Sequence, residues 1–160
     1  MNLMIASDIH GSARYCRDLL AAFDREGAER LLLLGDLLYH GPRNDLPDEY
    51  APKEVIALLN ARKSRLLCVR GNCEAEVDQM VLEFPVLADY AILWAGERMI
   101  FATHGHHYNK NAMPPLQPGD ILLHGTHPCP RLGERGGESV PEPRLGVHPQ
   151  GGERQGLHDL

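Results

Sequence analysis

The sequence predicts an α/β protein in which a parallel sheet passes into an antiparallel one. Two observations carry that expectation. Short apolar runs alternate with segments of helical apolar spacing through the first half of the chain, and later strand-like runs follow one another directly. A third observation points to chemistry: each early apolar run ends in residues of metal-ligand type. At 160 residues the chain is one domain's worth and long enough to bury a core.

In chain order, LMIAS (residues 3–7) is a short buried strand. From Ser12 to Glu26, Ala13, Cys16, Leu19, Leu20 and Phe23 recur at helical spacing, and Gly27 stops the helix. LLLLG (31–35) is apolar without alternation, as expected of a strand buried on both faces. The turn-rich stretch HGPRNDLPDEYAP (40–52) precedes a helix from Pro52 to Lys63, with proline at a first-turn position. LLCVRGN (66–72) is a third buried strand. AILWAGERMIFATHG (91–105) reads as a hairpin turning at Ala95-Gly96-Glu97, and ILLH (121–124) as a further strand. Residues 126–160 differ in kind. They hold no Phe, Tyr, Trp, Ile or Met, Gly and Pro make up about a third of them, and no period of 2 or 3.6 offers a face to bury. The expectation is a domain over residues 1–125 followed by an aberrant, disordered tail over 126–160.

A net charge of −6 gives no bulk electrostatic reason to expect a nucleic-acid or acidic-membrane surface, and a phosphate handled here needs a local cation. No stretch approaches the length of a membrane span, and MNLMIASDIH does not open like a signal peptide. The four cysteines, Cys16, Cys68, Cys73 and Cys129, show neither zinc spacing nor a dense framework. A reducing cytoplasm is therefore the expected location.

The strand ends carry the functional signal. They read Ser7-Asp8-Ile9-His10, Gly35-Asp36, Gly71-Asn72-Cys73-Glu74 and Thr103-His104-Gly105-His106. Carboxyl ends of strands in an open α/β sheet meet at one edge, where ligands bind. Asp8, His10, Asp36, Asn72 and His104 should therefore converge. Alternate residues of an extended segment point the same way, so Asp8 and His10 can share one ion. Carboxylate, imidazole and amide together suit Mn²⁺, Fe²⁺ or Zn²⁺ better than an all-oxygen calcium cage. A central Asp can bridge two ions about 3.5–4 Å apart, a separation that clamps a phosphoester. Each element alone is commonplace: Gly-Asp is usually a turn, and Asn before Cys tolerates positive φ. Four such endings in succession are poorly explained as coincidence.

In this order, D-x-H, GD, GNCE and THGH resemble the calcineurin-like metallophosphoesterase superfamily. SDIHG, LGD, HGPRN-x-LP-x-x-YAP, VRGNC-x-x-EVDQM and THGH, spread over residues 1–125, are similar to its YfcE-type phosphodiesterases. The resemblance implies a four-layer αββα sandwich, incomplete here at its C-terminus, and a site with two divalent ions. Mn²⁺ is the first expectation, with Fe²⁺ or Zn²⁺ as the others. Asp8 and His10 would hold the first ion, Asp36 would bridge, and Asn72 and His104 would hold the second. A hydroxide between the ions would attack phosphorus in line. The substrate would be a small phosphodiester, and a homodimer would be unsurprising. Many superfamily members carry a histidine after the Asn, where this chain has Cys73; the general acid is thus unassigned, with Cys73 and His106 as candidates. Arg43 and Asn44 could contact substrate or simply form a surface turn.

The family continues with G-H-T-H, but this chain has Gly125-Thr126-His127-Pro128. One histidine is displaced and another is missing. Read one nucleotide later, codons for Thr126 through Pro130 can spell His-Thr-His-(Ala or Val)-Pro, and family-like text recurs downstream in the same frame. The expectation is a single-nucleotide frameshift near Gly125, a phosphodiesterase impaired as encoded, and an apolar strand edge left open where the strands completing the second sheet are absent. The competing reading is a non-catalytic scaffold of the same fold that acts by protein binding.

Overall fold

The computed structural model describes residues 2–125 and the backbone of 145–149. Three parallel strands, β1 (Leu3–Ala6), β2 (Arg30–Leu33) and β3 (Leu66–Cys68), lie side by side in that order. The first crossover is α1 (Ala13–Arg25) and the second contains α2 (Pro52–Asn60), followed by a 3-10 turn at Lys63–Arg65. A short helix α3 (Glu76–Val81) follows β3. Then come β4 (Tyr90–Ala95), β5 (Arg98–Thr103), β6 (Ile121–Gly125) and β7 (Leu145–Pro149), which form a second sheet in that order. β4 and β5 are an antiparallel hairpin, β6 runs parallel to β5, and β7 runs antiparallel to β6.

The run of leucines in β2 explains how the layers stack. Successive side chains of a strand point to opposite faces. Leu31 and Leu33 pack with Phe23, Leu20, Val55 and Leu59 of the helices, whereas Leu32 and Leu34 pack with Ala102 and Leu123 of the second sheet. All four leucines are buried. Each such burial contributes about 1.5–3 kcal/mol, and the leucine run 31–34 supplies side chains to both interfaces of the first sheet.

The helical starts also follow local chemistry. Ser12 caps α1 by accepting the Tyr15 N–H at 3.3 Å, and its hydroxyl donates to the Asp48 carbonyl at 2.6 Å. Pro52 stands in the first turn of α2. The helix expected to reach Lys63 ends as an α-helix at Asn60 and tightens into the 3-10 turn.

The fold class is the expected α/β sandwich of two sheets. Among the described residues it contributes three layers, helices on sheet on sheet, and every helix precedes β4. The strand edge expected to stand open is occupied instead: β7 pairs with β6 from Gly125↔Leu145 to Ile121↔Pro149. Backbone pairing accepts any extended segment, so a strand can form where no apolar alternation announces one. The rest of the tail, including His127 and the expected disorder, lies outside the described residues.

Candidate metal centre

Left-handed backbone turns the strand ends toward one another. Asp8 (φ 62°), His10 (φ 50°) and Asp36 (φ 58°) all adopt the left-handed region, joined among non-glycine described residues only by Glu49 (φ 50°). Such conformations cost of order 1–3 kcal/mol each and cluster at functional sites. Hydrogen bonds between the loops after β1 and β2 offset the strain. Asp8 N–H donates to the Gly35 carbonyl (3.1 Å), His10 N–H to that of Asp36 (2.9 Å) and Gly11 N–H to that of Leu37 (2.8 Å). The loops after β2 and β3 touch through glycines. A Cβ on Gly35 would collide with the Gly71 backbone, and one on Gly71 with the Asp36 carboxylate.

All five predicted ligand residues come together at this edge. Asp36 is fully buried and central. Its Oδ1 accepts the Cys73 N–H at 2.9 Å, while Oδ2 lies 3.7 Å from His10 Nε2 and 3.6 Å from His104 Nε2. Asp8 Oδ1 lies 3.3 Å from His10 Nε2, and the Ser7 hydroxyl donates to Asp8 Oδ2 at 2.5 Å. Two clusters of ligand atoms, each within 4.8 Å, share Asp36: Asp8–Asp36–His104 and His10–Asp36–Cys73. Asp36 is common to both, as a bridging ligand requires. These groups set Asp8 with His104 and His10 with Cys73, and the expected Asp8–His10 pair rests on their 3.3 Å contact.

The two imidazoles are oriented by backbone carbonyls. His10 Nδ1 donates to the Tyr39 carbonyl (2.8 Å) and His104 Nδ1 to that of Leu34 (2.7 Å). This second hydrogen bond fixes the tautomer and aims Nε2 into the site, as metal-ligating histidines do. It also makes one contact informative. His104 Nε2 stands 3.0 Å from Asn72 Oδ1 while Asn72 Nδ2 donates to Cys73 Sγ at 3.2 Å. An imidazole nitrogen and an amide oxygen this close together, with the buried Asp36 carboxylate 3.6 Å from the same nitrogen, make a donor set that fits a metal ion.

The electrostatics agree with that fit. Burial disfavours charge on Asp8, but hydrogen bonds from His10 and Ser7 and the nearby His104 outweigh it and hold the carboxyl below its ordinary value. Burial works against protonation of His10, yet Asp8, the Tyr39 carbonyl and Asp36 together raise it to about 9. The surroundings of His10 Nε2 thus favour positive charge.

The remaining candidates are placed as follows. The Cys73 thiol is pushed up to about 12, by burial first and then by the Asp36 carboxylate, so it stays neutral. His106 packs its ring 5.3 Å from that of His104 and 4.0 Å from that of His107, centre to centre. Burial, with His107 and His104 beside it, lowers its pKa to about 4, and its Nδ1 is buried without a hydrogen-bond partner. Arg43 is exposed. Asn44 donates to the His40 carbonyl at 2.9 Å, which closes the turn around Gly41. A Cβ on Gly41 would lie 3.1 Å from Asn44 Nδ2 and 3.9 Å from Cys73 Sγ, so this turn borders the centre.

Sequence reasoning assigned no role to Ser7 or Glu74. The Glu74 carboxylate is buried and accepts N–H groups from Asp36 (2.8 Å), Leu37 (2.7 Å) and Gly71 (2.5 Å). Its burial outweighs these hydrogen bonds and raises its pKa. An acid directly after the Asn-Cys pair was the only available signal.

A sandwich of two sheets with this acid, imidazole and amide cluster at the strand ends defines a metallophosphoesterase. Residues 1–128 match the calcineurin-like phosphoesterase superfamily domain, and the chain belongs to that family of phosphoester hydrolases. It is 43% identical over 136 residues to phosphodiesterase YfcE of Escherichia coli strain K12, covering 85% of this chain and 74% of that protein. The same figures hold for the protein of E. coli O6:H1 strain CFT073. The solved structure of Yfce, a phosphoesterase from E. coli, superposes with a TM-score of 0.73 at 45% identity, over 75% of this chain and 66% of that one. The chain thus spans about two thirds of the solved relative. Among the described residues, no helix is long and apolar enough to cross a membrane.

Proposed function

We propose that this chain is a divalent-metal-dependent phosphodiesterase with a two-ion site, acting on small phosphodiesters. The observation that carries the reading is Asp36, a buried carboxylate common to two clusters of ligand atoms. Asp8 and His10 would hold one ion, Asn72 and His104 the other, and Asp36 both. The two ions, when bound, supply a nucleophile from water at neutral pH and neutralise charge on the phosphoryl oxygens. The chain's own groups prepare for this. Asp8 and Asp36 concentrate negative charge for cations, His10 and His104 are held with Nε2 toward them, and Asn72 offers a neutral oxygen. Mn²⁺ is the expected metal, because mixed oxygen and imidazole donors with few soft ligands accept it. The neutral Cys73 thiol is not poised as a nucleophile or base.

The test is hydrolysis of a chromogenic aryl phosphodiester by the full chain with Mn²⁺, Fe²⁺ or Zn²⁺, alongside Asp36→Asn. The substitution keeps an oxygen for the Cys73 N–H but removes the bridging charge. Turnover should fall by at least about 100-fold, beyond the loss typical of outer partners. Absence of turnover above the metal-only rate with any of the three ions would sink the reading. The scaffold alternative is disfavoured by the five ligand-type residues, all of which converge.

A further inference from the structure

We propose that Glu74 is a positioning residue for the metal centre, a carboxylate clamp that sets the distance between the loop carrying Asp36 and the loop carrying Asn72. The inference rests on the two-ion reading above. Glu74 Oε1 accepts the Leu37 N–H, and Oε2 accepts both Asp36 N–H and Gly71 N–H. The three donors come from two loops that follow different strands, β2 and β3. Hydrogen bonds to a charged acceptor are stronger than neutral ones and more directional than packing. Each donor is adjacent to a ligand or is one: Asp36 itself, Leu37 after it, and Gly71 before Asn72.

The surroundings leave the clamp little slack. Gly71 approaches so closely that a Cβ there would meet the Asp36 carboxylate, the Asp36 nitrogen and Glu74 Oε2 together. The Cys73 N–H then closes the circuit on Asp36 Oδ1 at 2.9 Å. Asp36 is thus gripped on its backbone by Glu74 and on its side chain by the chain segment that bears Asn72. Both Glu74 oxygens are engaged by backbone N–H groups, so it acts through the two loops. A glutamine at this position can offer only one acceptor oxygen and turns an NH₂ group toward N–H donors. An aspartate keeps the charge but is one methylene shorter.

The experiment compares the full chain with Glu74→Gln and Glu74→Asp in two measurements. Mn²⁺ titration followed by the electron paramagnetic resonance signal of the free ion gives stoichiometry and affinity. Amide hydrogen exchange of Asp36, Leu37 and Gly71, in protein stripped of metal, reads the clamp without any ion. Glu74→Gln should weaken at least one ion by tenfold or more, within the range seen for outer partners of metal ligands, and Glu74→Asp should fall between it and the parent. The three amides should exchange faster in Glu74→Gln. Mn²⁺ affinity in Glu74→Gln within twofold of the parent overturns the proposal, even if the melting temperature falls, because a merely structural role would then suffice. Should Glu74→Gln fail to fold, Glu74→Asp decides: wild-type Mn²⁺ affinity there overturns the proposal. A parent chain that binds fewer than two ions refutes the two-ion reading. The exchange rates then judge the clamp separately, and unchanged protection in a folded Glu74 variant refutes it.

Discussion

At the scale of single residues, His10 is the most informative group in the centre. Its Nδ1 is committed to the Tyr39 carbonyl, and its Nε2 faces two carboxylates. The resulting pKa of about 9 means that at neutral pH an entering cation has to displace a proton. The sign follows directly. Lower pH favours the competing proton, so Mn²⁺ affinity should rise with pH below about 9 and level off above it. One displaced proton gives about a tenfold gain per pH unit. Calorimetry in two buffers of different ionisation enthalpy should report close to one proton released per protein at neutral pH. An affinity that does not change between about pH 6 and 9 would contradict the proton-for-metal exchange.

At the scale of elements, the strand ends matter more than the strands. Gly35 has φ 97° and leaves no room for a Cβ beside Gly71, whereas Gly27, at φ 62° after α1, has nothing within 4 Å. Alanine at Gly27 meets only the left-handed penalty, about 1–2 kcal/mol. Alanine at Gly35 also drives the two ligand loops apart and should cost about 3 kcal/mol in urea unfolding, with Mn²⁺ binding weakened as well. Equal losses at both sites would show that the Gly35–Gly71 approach does not constrain the centre. The same elements show what was legible in the sequence. β1, β2, β3, the hairpin and β6 were visible because burial on one or both faces leaves an apolar run that a polar residue ends abruptly. The five converging residues were visible for the same reason. Helix α3 was not: it buries no residue, and Val77 and Met80 are 61% and 83% exposed, so it has no apolar stripe to read. Glu74 was missed because its partners are backbone N–H groups, two of them more than 35 positions away, and backbone donors leave no mark on sequence.

At the scale of the whole molecule, the candidate site lies almost wholly upstream of Gly125. The ligand-bearing edge is built from β1, β2, β3 and β5, all upstream of that point, and the core between the two sheets is closed by Leu32, Leu34, Val69, Ala102 and Leu123. Gly125 ends β6 beside the centre; a Cβ there would lie 2.8 Å from Ser7 Oγ and 3.5 Å from Asp8 Oδ2. Gly125 thus borders the centre, and in the resembling family the three residues that follow it in sequence are His-Thr-His. The encoded chain has Thr126, His127 and Pro128 instead. In the resembling family each of those two histidines completes one ion's ligand set, and a version with the alternative frame restored after Gly125 would regain both. It should bind Mn²⁺ more tightly and hydrolyse an aryl phosphodiester at least about tenfold faster than the chain as encoded. It should also melt higher in the presence of metal, since tighter binding to the folded state stabilises it by mass action. Paired assays at saturating and limiting Mn²⁺ separate the two contributions. A deficit confined to limiting metal means that the histidines act through affinity, and one that persists at saturation means that they also shape the reaction. Equal turnover of the two versions at both metal levels would show that the five upstream ligands suffice, and the encoded chain would then be an intact enzyme rather than an impaired one.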